Sequence, residues 1–198
     1  MDLGRLALRG ILGPLFVGHG TQKLFGWFGG HGMEGTSGFF ESLGLRPGRL
    51  HATTAGVAET AGGALLTLGA ATPVASALIS GTMMTAARKA HLQNGPWVAN
   101  GGYEYNLAVI GALAALTECG PGRPSVDARV LPRLKGTGWA LAALGAAAAG
   151  SYLATERLSQ SGPAPQEGTS DIPGDPATED APRRFEREEA PVSADQPA

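Results

Sequence analysis

Cysteine is almost absent from this chain, aromatic residues are few, and charge is thin over most of its length. A single cysteine, Cys119, stands among 198 residues. That excludes an intramolecular disulfide, a CxxC redox pair and a cysteine-based zinc site. The thiol reads as a small apolar residue near a helix end. Neither a P-loop nor a GxGxxG fingerprint occurs, so no glycine loop is set to cradle phosphates. Up to Thr155 the chain carries 11 Lys+Arg and 7 Asp+Glu. A water-soluble bundle needs polar outer faces, and so few charges cannot build them.

The hydrophobic residues fall in five segments. They run over about 3–28, 50–71, 73–92, 103–119 and 136–155. Crossing a bilayer takes roughly 20 apolar residues at about 1.5 Å each. Each segment reads as a membrane helix, the fifth being rich in alanine and glycine. Arg5 and Arg9 precede an apolar stretch too long for a signal-peptide core, and no A-x-A site follows, so the first helix is expected to stay. Segments two and three meet in a tight turn at 71–73, which makes them antiparallel neighbours. Pro73 suits a first helical turn. In the long glycine-rich loop 28–49, Thr36 or Ser37 is expected to cap a short helix ending at Gly44. Phe39 and Phe40 would let that helix lie in the interface. Glycines inside the helices let backbones approach closely.

The last stretch is different. Residues 156–198 hold 4 Lys+Arg, 10 Asp+Glu and 7 of the 14 prolines. Such a composition cannot bury enough apolar surface to fold. It is expected to be a disordered acidic tail.

Ionisable residues inside apolar helices carry the functional signal, because hydrocarbon makes them costly. Counted from the side of the long loop, Lys23 lies about 6–8 Å deep, His19 about 12–14 Å and Glu59 about 13 Å. His19 and Lys23 are four residues apart and share a helix face, with Gln22 beside them. Glu59 has the depth to meet either. Arg88, Lys89 and His91 close the third segment on the same side, and Glu104 opens the fourth, within reach of Arg88 or Lys89. These residues predict a polar pocket between helices one to four. His19, Gln22, Lys23, Glu59, Arg88, His91 and Glu104 are its candidate lining. The histidine and carboxylate spacing offers no metal cage. If Lys23, Arg88 and Lys89 face inward, the remaining cations favour a cytoplasmic N-terminus, and five crossings would place the tail outside.

At these residues the sequence resembles the DoxX family of small bacterial membrane proteins. The resemblance spans about residues 3–127. It rests on His19-Gly20-Thr21-Gln22-Lys23-Leu24-Phe25-Gly26 and on Glu59-Thr60-Ala61-Gly62-Gly63, with Gly69 and Pro73. Ala87, His91, Gly102-Tyr103-Glu104-Tyr105, Gly120-Pro121-Gly122, Ser125 and Asp127 continue it. The resemblance implies an all-α, transmembrane four-helix bundle in the bacterial plasma membrane, and a redox context. Beyond it lie a fifth transmembrane helix within 128–155 and the tail 156–198.

Together these readings make the chain a multi-pass subunit of a membrane redox system. A quinone or small anion would sit between helices one to four, bound rather than covalent. Any oxidoreductase activity would not be autonomous. The lipid bilayer and a soluble oxidoreductase are the expected partners, and no nucleic acid is. Two other readings stay open: a non-enzymatic scaffold that docks a soluble oxidoreductase, and a small lipid- or solute-binding membrane protein. A short unbroken bundle without inverted repeats argues against transport.

Overall fold

A computed structural model describes residues 2–158, and these are helical with no strand among them. Seven α-helices follow in order: α1 (Leu3–Phe25), α2 (Gly32–Ser42), α3 (Gly48–Leu68), α4 (Thr72–Ala86), α5 (Glu104–Cys119), α6 (Asp127–Val130) and α7 (Thr137–Tyr152). Two of them continue past their regular ends as π-helical turns, α4 through Ala87–His91 and α7 through Leu153–Leu158. The acidic tail expected from residue 156 lies outside the described residues, apart from the end of this second turn.

Glycine sets the closest seam. α1 lies along α3, and a methyl group added at Gly63 would sit 2.6 Å from the Gly13 carbonyl oxygen. One added at Gly20 would sit 2.6 Å from the Gly56 oxygen and the Thr60 nitrogen. No side chain fits there, so the two backbones touch and gain dispersion contacts along their length. α3 then packs on α4, and α4 on both α5 and α7. Phe16, Leu66, Ile79, Met83, Val109 and Leu113 form the buried core between α1, α3, α4 and α5. Polar side chains pin the helices within it. Thr117 donates to Ser76 at 2.7 Å, and Asn106 donates to the Met83 carbonyl at 3.3 Å.

The loop after α5 clamps the α3–α4 turn. Gly69 takes the left-handed conformation that ends α3, and Ala71 follows at φ 44°. A left-handed alanine costs about 1–2 kcal/mol. Asp127, fully buried, holds it there. Its carboxylate accepts from the Ala71 and Thr72 backbone N–H groups at 2.7 and 2.8 Å and from the Thr72 hydroxyl at 2.7 Å. The missing N-cap of α4 is thus supplied from 55 residues away. Arg9, expected at a membrane face, is instead buried beside this turn and donates to the Thr67 and Pro124 carbonyls.

Two expectations need correction. The helix of the long loop starts at Gly32 rather than at a Thr36 or Ser37 cap. Ser37 lies inside it and donates back to the Met33 carbonyl, while Thr36 is buried. The first helix ends at Phe25, because Gly26 takes the left-handed conformation and caps it. No helix among the described residues is long and apolar enough to cross a membrane. α1 and α3 have 23 and 21 residues but are diluted by glycine, threonine and charge; α4, α5 and α7 are apolar but have 15, 16 and 16.

Candidate functional site

Lys23 and Glu59 meet. The Lys23 ammonium donates to Glu59 Oε2 at 2.6 Å and lies 3.4 Å from the His19 carbonyl. Glu59 is almost fully buried, with its side chain 4% exposed, while Lys23 is 26% exposed. The Gly20–Gly56 seam fixes the pair: helices that touch along glycine hold their neighbouring side chains in one register.

The pair faces a cavity of about 840 Å³. His19, Lys23 and Glu59 line its polar end together with His51, Lys89, His91 and Asn106. The remaining lining is mostly apolar: Phe39 and Phe40 of α2, Leu43 and Leu45 of the turn after it, Ala55 and Ala58 of α3, and one face each of α4 and α7. Lys89 contributes a cation without an acidic partner among the described residues. With Lys23 balanced by Glu59, this end of the cavity is formally positive when its histidines are neutral.

The other candidates are placed differently. Gln22 binds His19 Nδ1 at 3.2 Å and donates to the Phe28 carbonyl at 3.3 Å, steadying the imidazole from outside the cavity. Glu104 does not reach Arg88 or Lys89. Its carboxylate accepts from the Val98 N–H at 2.7 Å, because the 95–103 loop folds back onto the start of α5. Arg88 turns to the fifth hydrophobic helix, donating to Thr155 and to Glu156 at 3.2 and 3.1 Å. His91 lines the cavity, with Nδ1 2.7 Å from the Gly101 carbonyl.

Sequence reasoning left out three lining groups. His51, Ala55 and Glu59 stand at four-residue spacing, the stripe of a single helix face, so His51 was within reach of that rule. Asn106 and Trp139 carried no comparable signal. The fifth helix, read as lying beyond the site, forms one wall of the cavity. It packs on α4 and α5, and Thr85 donates to Ser151 at 3.0 Å across the contact.

Comparison with known proteins identifies the family. The DoxX family model matches residues 4–92. CatD of Bacillus subtilis (strain 168), described as "Putative oxidoreductase CatD", is 34% identical over 116 residues, which is 59% of this chain and 80% of CatD. The chain belongs to the DoxX family. The match to the DoxX model stops at Leu92, so Glu104, Asp127 and the whole of α7 lie outside it. No solved structure is a significant match. Family and relative together support a membrane-associated, redox-related role.

Proposed function

We propose that this DoxX protein is the membrane subunit of a redox system and binds a quinone headgroup at the polar end of its cavity. The observation that carries the reading is the Lys23–Glu59 pair beside a mostly apolar cavity, with buried Glu59 joined to Lys23 through Oε2. A buried carboxylate with a single cation partner is costly unless it has further polar partners. A ring with carbonyl oxygens supplies an acceptor for Lys23, while the aliphatic walls suit the remainder of such a molecule.

The outer surface favours lipid as the solvent. Ile11, Leu15, Val57, Val74, Leu107 and Leu141 are exposed along the helices. Exposed apolar area on that scale marks a membrane or partner surface. Phe25, Trp27, Phe28, Phe39 and Trp97 are exposed at the long-loop end, as in an aromatic interfacial belt. The π-helical turns lengthen α4 and α7 to roughly 30 Å each, the α4 extension carrying Arg88, Lys89 and His91. In this reading the chain is multi-pass in the plasma membrane with a cytoplasmic N-terminus.

Reduction of a quinone to its quinol adds two electrons and two protons, one proton to each carbonyl oxygen. The electrons come from a soluble oxidoreductase partner. Lys23 and Glu59, already sharing a hydrogen bond, hold and exchange a proton at the ring oxygen. The His19 imidazole, at the same end of the cavity, passes protons to and from that site.

The test is equilibrium binding of a short-tailed quinone to the full chain in nanodiscs, followed by tryptophan quenching. Lys23→Ala and Glu59→Gln are each expected to weaken binding about tenfold, or about 1.4 kcal/mol, while both variants stay folded by circular dichroism. Unchanged affinity in both folded variants would overturn the headgroup site.

A further inference from the structure

The cavity is much longer than a headgroup. Its wall on α4 runs from Pro73 to Ala90, and its wall on α7 from Trp139 to Ala154. At 1.5 Å per residue that is roughly 25 Å of helix, whereas a substituted ring spans only a few bond lengths. Charge gathers at one end, at Lys23, Glu59 and Lys89. From there towards Pro73 and Trp139 the lining is mostly apolar. Ala142, Ala146 and Gly150 of α7 line this stretch yet are exposed, so their surfaces face open space rather than a neighbouring helix.

From this shape we infer that α7 forms the far wall of a channel for the extended isoprenoid chain of a quinone. The inference rests on the headgroup reading above. The cavity is continuous with that polar site and nearly as long as the helices, so one linear hydrocarbon chain leaving the ring can lie along it. α7 lies outside the matched family region, so tail selection belongs to the part of the chain added to the shared bundle. The anchors of α7 are its hydrogen bonds to α4, Ser151 to Thr85 and Thr155 to Arg88. The hydroxyls that line the channel here, Thr82, Thr85 and Ser151, are taken up by protein hydrogen bonds, so they leave no unmet polar group against a hydrocarbon chain.

The experiment fills the channel away from the headgroup. Trp27→Phe and Trp97→Phe leave Trp139 as the sole tryptophan, inside the channel lining. Its quenching is followed in nanodiscs with two quinones that share a ring, one bearing a single isoprene unit and one bearing many. Ala146→Phe is compared with its parent in the same lipid, so that partitioning of the long quinone into the bilayer cancels. Gly150→Phe is a second plug, since a Cβ there meets nothing within 4 Å. Either folded plug is expected to weaken the long-tailed quinone about tenfold and leave the short-tailed one within about twofold. Equal affinity of plugged and parent protein for the long-tailed quinone would overturn the inference. So would a plug that changes only the phospholipid retained on purification, read by mass spectrometry. Failure of the headgroup reading looks different: the short-tailed quinone would then bind neither parent nor plug.

Discussion

At the α3–α4 turn the Asp127 carboxylate accepts three hydrogen bonds, all from the turn itself. Near the other end of the bundle the Glu59 carboxylate, equally buried, has Lys23 as its one hydrogen-bond partner among the described residues and borders a large cavity. Both are acids that burial makes costly. The difference lies in how completely the protein itself satisfies them. A saturated carboxylate has nothing to offer a ligand and acts as a staple. A carboxylate with one partner and adjacent space is arranged for something that arrives later.

The largest effect expected from this contrast is at the saturated end. Asp127→Ala removes the N-cap of α4 and leaves the Ala71 and Thr72 N–H groups without acceptors. It also releases the backbone that holds Ala71 left-handed. The loss is about 3 kcal/mol, read as a clear fall in the thermal midpoint of the full chain in mild detergent. Short-tailed quinone binding well below that midpoint should be unchanged. A midpoint that does not move would show that the turn is held by packing, and the contrast would lose its first half.

The cavity end should respond in the opposite sense. Lys23→Met with Glu59→Leu removes both charges and their desolvation cost together. A buried pair replaced by apolar side chains of similar size is often neutral for stability. The double variant is therefore expected to unfold within about 1 kcal/mol of the parent, while Lys23→Met alone destabilises more, because Glu59 then stays buried without a cation. Thermal unfolding of the three proteins decides this. A double variant as unstable as Asp127→Ala would make the Lys23–Glu59 pair a second staple.

Much of the pair was legible in the sequence, because depth along a helix follows from counting residues. His19, Lys23 and Glu59 lie on helices entering from the same side; His19 and Glu59 share a depth, and the long Lys23 side chain reaches down to Glu59. Counting gives height but not direction around the helix axis. Arg88 and Glu104 have suitable heights, yet Arg88 faces α7 and Glu104 turns to its own loop. The docking of α7 on α4 sets the first, and the turns of the 95–103 loop set the second. Both depend on contacts between distant segments, which carry no periodic signal. The same holds for Arg9. Its neighbours in sequence mark it as a flanking cation, and only the return of the 120–126 loop to the α3–α4 turn buries it. The wall formed by α7 was hidden for another reason: an alanine-rich helix has apolar residues on every side, so its sequence does not show which face is lined by a cavity.

The smallest effect belongs to the rim of the saturated end and is a matter of pH. The Asp2 carboxylate accepts from the Arg123 N–H at 3.0 Å and from the Arg5 guanidinium, and Arg5 in turn donates to the Cys119 carbonyl at 2.8 Å. The Arg123 backbone bond, then the Arg5 bond, hold the Asp2 pKa below its ordinary value of 3.8. A group with a lowered folded pKa adds stability above its unfolded pKa and loses it as pH falls through the folded one. Asp2→Asn should therefore have a slightly lower thermal midpoint than the parent from neutral pH down to about 3.8. The gap should close only in more acid solution. Because Asp2 is partly open to water, the gap should be smaller than either effect above. A gap that closes well above the ordinary aspartate range would assign the acid sensitivity to another carboxylate. It would leave this rim clasp as a contact with no share in holding the far end together.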